Sequence, residues 1–161
     1  MDAPIYERFD NNEGIQSAVD RLLEQPGREL RIFDPDAAAL RLNDTARVGL
    51  LERFLRASRI RRLYLVLHEP QHLQRDCPRM MGLLARYSHA IQIHRTHEEI
   101  REVQDAFLVL DSVHYVRRPV AAFPRGAIGL GDEAEALAMR SRFNEIWAAS
   151  YPAVSSTTVG L

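Results

Sequence analysis

VQDAFLVLDSVHYVRR, residues 103–118, is the densest apolar run in the chain and reads as two strands folded back on each other. Residues 106–110 form a continuous apolar block with charge on either side, the pattern of a strand buried on both faces. Asp111 and Ser112 supply turn chemistry, and Val113 to Val116 resumes in β-branched and aromatic residues. This hairpin is predicted to form the centre of a sheet.

Downstream of it, Pro119 to Gly126 reads as a loop and Ala127 to Leu130 as a short strand. Asp132 with Glu135 matches a capping box that opens a helix running to about Ser150, with Met139, Phe143, Ile146 and Trp147 on its buried face. Pro152 stops that helix, and the β-branched tail AVSSTTVGL leaves open either an edge strand or a frayed terminus. Upstream, Thr96 with Glu99 matches a second capping box, for a short helical turn. Ala90 to Ile93 reads as a short strand. Before it, Pro78 suits the first turn of a helix with an apolar stripe of Met80, Met81, Leu84 and Tyr87. Arg62 to Leu67 and Glu29 to Phe33 read as strands. The helix between them is capped at Asn43 or Asp44 and runs to about Ala57, with Val48, Leu51, Phe54 and Leu55 on one side and Arg47, Glu52, Arg53 and Arg56 on the other. Strand, helix, strand implies parallel pairing. A first helix starts at Asn11 or Asn12 and stops at Pro26-Gly27. The pattern predicts one α/β domain over residues 1–161, a mixed sheet flanked by helices, with its core at about 28–150 and a tail at 151–161.

The composition agrees: 161 residues, 46% hydrophobic and 27% charged, suit one globular domain. No run approaches the roughly 20 apolar residues of a membrane helix, and MDAPIYERFD is too acidic for a signal peptide, so a cytoplasmic protein is expected. Cys77, the single cysteine, excludes an internal disulfide and reads as a small buried hydrophobe. A net charge of −1 gives no general attraction to nucleic acid or anionic membrane. Every basic side chain is arginine; the chain has no lysine.

His68-Glu69-Pro70-Gln71-His72 spells H-E-x-x-H, but Pro70 would sit inside the helical turn that zinc ligation needs, at a cost of roughly 3 kcal/mol. No metal or other cofactor is expected. His68 still stands out, because it follows a strand at the edge where open α/β sheets place their ligands. His89, His94 and His97 are too irregularly spaced to ligate from one strand face. Arg53, Arg56, Arg59, Arg61 and Arg62 read as a solvated helix face, whereas Arg117 and Arg118, following the central strand, are better placed for a cleft. The glycines of RGAIGLGD read as a tight strand-to-helix turn.

DAFLVLD, followed by a second strand, a glycine-containing turn and a closing helix carrying Phe143 and Trp147, resembles the phospholipase D superfamily, in which H-x-K-x-x-x-x-D precedes a hairpin. The resemblance covers roughly Arg28 to Ser150. It places the superfamily's histidine at Gln104, its lysine at Ala106 and its aspartate at Asp111. Gln104 cannot attack phosphorus as an imidazole does, and Ala106 cannot stabilise a phosphorane. The chain is also similar to an uncharacterised bacterial family of such degenerate domains, some resembling modules appended to acetyltransferases. The resemblance therefore implies a phospholipase D-like single domain without phosphodiesterase activity. It also implies a homodimer that serves as a binding or regulatory module, with Gln104, Asp111, His114, Arg117 and His68 as candidate binding residues. A phosphate-containing ligand or a protein partner, such as an acetyltransferase, fits that role, and membrane or nucleic-acid binding is not expected. Two alternatives stay open: a hydrolase or transferase using His68, His114 and Arg117, and a protein-interaction partner working through the hairpin edge or the tail.

Overall fold

The computed structural model describes residues 3–156, and in chain order begins with β1 (Ile5–Phe9) and α1 (Asn12–Leu23). The Asn11 side chain accepts the Gly14 N–H at 2.7 Å and so caps α1, whose Ile15, Ala18, Val19, Leu22 and Leu23 are buried. Next come β2 (Glu29–Asp34), α2 (Thr45–Arg56) and β3 (Arg62–Leu67). These are followed by α3 (Gln71–Asp76), α4 (Pro78–Arg86) and β4 (Ile91–Thr96). The chain ends with β5 (Ala106–Leu110), β6 (His114–Arg118), β7 (Gly126–Leu130), α5 (Glu133–Ala148) and β8 (Ser150–Val154).

The strands form one mixed sheet in the order β1-β7-β6-β5-β2-β3-β4-β8. β2, β3 and β4 are parallel, joined by helical crossovers, while the other pairings are antiparallel. The hairpin β5–β6 sits where the sequence puts it: β5 and β2 are the two middle strands, and all five residues of β5 are buried. Side chains alternate between two cores. Leu30, Ile32, Leu63, Leu65, Leu108 and Leu110 face the α1, α2 and α4 layer. Phe33, Val66, Phe107, Val109 and Tyr115 face α5, meeting Ala136, Met139, Phe143 and Ile146.

Several local expectations are corrected. β1, with its exposed side chains, lacks the apolar alternation that marks a strand, and only pairing with β7 makes it one. The tail contributes β8, an edge strand on β4 in which Pro152 sits opposite His94; residues 157–161 of that tail lie outside the described residues. Neither capping box forms. Thr96 is the last residue of β4 and gives its hydroxyl to His68, while Asp132 accepts the Tyr115 hydroxyl at 3.0 Å instead of capping α5. Arg47 is buried rather than solvated, donating to Asp20, Leu40 and Gln16 where α1 meets α2. Gly126 and Gly129 lie within β7, and only Gly131, at φ +74°, makes the turn into α5.

Candidate functional site

The parallel strands β2, β3 and β4 all point toward the edge of the sheet where β5 begins and β6 stops, so the sequence delivers five strand ends to one place. Open α/β sheets usually hold ligands at this edge.

Its floor is a charged pair. The β2–β5 ladder ends at Phe33 opposite Phe107, and the β5–β6 ladder ends at Ala106 opposite Arg118, so Asp34, Ala106 and Arg118 follow one another across three strands. The short side chain of Ala106 lets the Arg118 guanidinium reach over it and donate to the Asp34 carboxylate. Arg118 also donates to the Ala121 carbonyl at 2.8 Å, and the second Asp34 oxygen accepts the Ala37 N–H at 2.7 Å. Both residues are buried, at 2% and 5% exposure. Burial pushes the Asp34 carboxyl above its ordinary pKa, outweighing the pull of Arg118 and of the Ala37 and Asp36 amides. Each ion of such a pair loses several kcal/mol of hydration, so the pair persists only because its hydrogen bonds are filled.

His68 stands one strand away, buried edge-on against Phe33 at 5.3 Å. Its Nε2 lies 2.8 Å from the Val103 carbonyl, which can only accept, so Nε2 carries a proton. In the neutral ring Nδ1 then accepts the Thr96 hydroxyl at 2.7 Å. The two ring nitrogens thus tie the end of β3 to the last residue of β4 and to the 97–105 connection. His72 lies on α3, which starts after Pro70, and faces Asp76, so the two histidines of the H-E-x-x-H string do not share a helix.

Above Ala106 lies a cavity of about 330 Å³ walled by Phe107, Arg117, Met139 and Arg142. Its rim cations are paired: Arg117 with Glu135 at 3.0 Å, and Arg142 with both oxygens of Asp105 at 2.7 and 3.0 Å. The hydrogen bonds to Asp105 raise the Arg142 pKa further. Gln104 is exposed at the same end, its carbonyl accepting the Ala121 N–H at 2.7 Å.

Asp111 and His114 lie at the other end of the hairpin, four residue steps or roughly 13 Å along β5. At φ +55°, Asp111 turns the chain, and its carboxylate accepts the Arg28 and Glu29 N–H groups at 3.0 and 2.9 Å. It ties the hairpin to the start of β2. His114 Nδ1 accepts the Gly131 N–H at 3.0 Å, and burial lowers its pKa against the opposing pull of Asp111. The structure therefore gathers His68, Gln104 and Arg117 at one edge and leaves His114 and Asp111 at the opposite one. The pocket of His68, His114 and Arg117 that a new hydrolase would need is not assembled. Of the first arginine set, Arg53, Arg56 and Arg59 are exposed and Arg61 stacks over Phe54 at 5.1 Å.

Asp34 escaped the sequence reading. The hairpin register, which puts Arg118 opposite Ala106, is the signal that leads to it.

A family model described as "Domain of unknown function (DUF7931)" matches residues 11–156. No curated protein matches the sequence. Among solved structures, Nuc from Salmonella typhimurium, a phospholipase D family member, superposes with a TM-score of 0.62 at 15% identity, over 95% of this chain and 100% of its own. NucT from Helicobacter pylori gives 0.65 at 9% identity, over 94% and 100%. TrmBL2, an archaeal chromatin protein, gives 0.66 at 12% identity over 92% of this chain, which spans 54% of TrmBL2. The fold is thus phospholipase D-like.

Proposed function

The chain belongs to that family of unknown function, and from this premise we propose that it is a binding or regulatory module on a phospholipase D-like scaffold that has lost phosphoester cleavage. The observation that carries the reading is the row Asp34–Ala106–Arg118. Where the resemblance calls for a lysine there is an alanine, and the guanidinium that crosses it is neutralised by a buried carboxylate. Arg117 and Arg142 on the rim are paired in turn. A phosphoryl group entering this cavity meets no free cation and no unengaged imidazole among the described residues, so these supply neither nucleophilic attack nor charge stabilisation. That TrmBL2 is described as a chromatin protein that binds DNA is an instance of this fold in a protein with a binding role.

The test is hydrolysis of bis(p-nitrophenyl) phosphate, with magnesium, manganese or zinc and with chelator. The expected result is no release above the buffer blank. Turnover that follows the protein through purification and disappears in Gln104→Ala/Arg117→Ala, two exposed positions, overturns the reading. The module is also proposed to work as a homodimer, as paired phospholipase D-like domains do. Sedimentation equilibrium giving twice the chain mass at micromolar concentration supports this, and a monomer throughout removes it.

A further inference from the structure

Beside this cavity lies a second, larger cleft of about 570 Å³, and its charges are not paired off in the same way. It opens between β1, the start of β7 and the 119–125 loop, sharing Arg117 and Pro119 with the first cavity. Arg8 pairs with Ala127 across the β1–β7 ladder, and Arg125 lies two residues before Ala127, so strand alternation brings both guanidinium stems to one face. Neither has an ion-pair partner among the described residues. Arg125 rests over the ring of Phe123 at 5.5 Å. Tyr6, two residues from Arg8 on the same face of β1, is 58% exposed, and Phe123 is 50% exposed. Two large rings are thus open to solvent beside guanidinium groups that have no ion-pair partner among the described residues. With Arg117 held by Glu135, Arg8 and Arg125 against the single carboxylate of Asp10 leave the cleft one positive charge.

We propose that this cleft binds a nucleoside phosphate. The base stacks on the open faces of Tyr6 and Phe123, and the phosphate takes the guanidinium groups of Arg8 and Arg125. Asp10 is placed to accept from a base amine or a ribose hydroxyl. The volume falls in the range of small-molecule sites, roughly 300–1,000 Å³. This assignment rests on the non-cleaving reading above, because the ligand is held at a cleft apart from the Asp34–Ala106–Arg118 row.

The test is calorimetric titration of the full chain with adenosine 5′-monophosphate, with adenosine and inorganic phosphate as separate arms. The monophosphate should bind, each half alone should bind at least about tenfold more weakly, and added salt should weaken the complex. Arg8→Ala/Arg125→Ala and Phe123→Ala should each lose about tenfold, whereas Arg53→Ala, exposed on α2, should not change affinity. Absence of binding at millimolar monophosphate, equal affinity in the Arg8 and Phe123 variants, or binding of a single-stranded oligonucleotide with the monophosphate silent each overturns the assignment. The bis(p-nitrophenyl) phosphate assay is read separately, so turnover there refutes the non-cleaving scaffold and a failed titration refutes the ligand.

Discussion

Asp34 and Arg118 depend on each other more than the fold depends on either. Removing one partner leaves a buried charge facing none, whereas removing both leaves an apolar gap that side chains can fill. Asp34→Asn should therefore lower unfolding free energy by about 3–5 kcal/mol, while Asp34→Leu/Arg118→Met should fall within about 1 kcal/mol of the parent or exceed it. Urea denaturation of the three proteins decides this; equal losses in the single and double variants would show that the pair itself holds the strand ends together. Asp111 illustrates the opposite kind of residue. Its sequence position suggests chemistry, yet its hydrogen bonds from the Arg28 and Glu29 amides at the start of β2 give it a structural task. Asp111→Ala should cost about 1–3 kcal/mol by leaving those amides without their acceptor, measured by the same denaturation.

At the scale of elements, glycine in a strand and glycine in a helix carry opposite meanings here. A Cβ on Gly129 would come within 2.4 Å of the Tyr115 ring, which lies flat across β7 to bring its hydroxyl to Asp132. Burial and Asp132 both push the Tyr115 pKa up, so the phenol stays a donor in that bond. A Cβ on Gly49, in the middle of α2, meets nothing within 4 Å. Gly129→Ala should destabilise by about 1–3 kcal/mol through overpacking. Gly49→Ala should stabilise by about 0.5–1 kcal/mol, because alanine removes the entropic penalty of a helical glycine. Thermal melts of both variants test the pair of signs, and a loss at Gly49 would contradict the open space around it.

At the scale of the whole molecule, two half-buried histidines contribute to the pH dependence of stability. Burial lowers the pKa of His94, stacked 3.6 Å from Trp147 and hydrogen-bonded to Ser150, and of His114. A histidine whose folded pKa is depressed favours the native state when neutral. Its contribution is complete above the ordinary value of 6.5 and is lost as pH falls from there through the folded pKa. Denaturation midpoints should therefore drop on acidification below pH 6.5, and His94→Gln/His114→Gln should flatten that drop. An unchanged slope in the variant would assign the acid limb to other groups. Among the described residues no helix is long and apolar enough to cross a membrane.

The sequence by itself determined the layers: the unbroken apolar run of β5, the turn at Asp111, the parallel β2–β3 pair and the amphipathic helices are all local patterns that burial and hydrogen bonding must satisfy. It also carried the absence of lysine, which no arrangement in space can undo. Only the tertiary structure decided where the charges go. Asp34 and Arg118 are 84 positions apart, and their meeting over Ala106 follows from strand order and register. β1, with no apolar alternation, exists because β7 offers it an edge, and with it come the Tyr6 and Arg8 side of the arginine-lined cleft. Patterns of burial are written along the chain because each element must hide one face, but ion pairs and clefts are made between elements, where sequence distance carries no information.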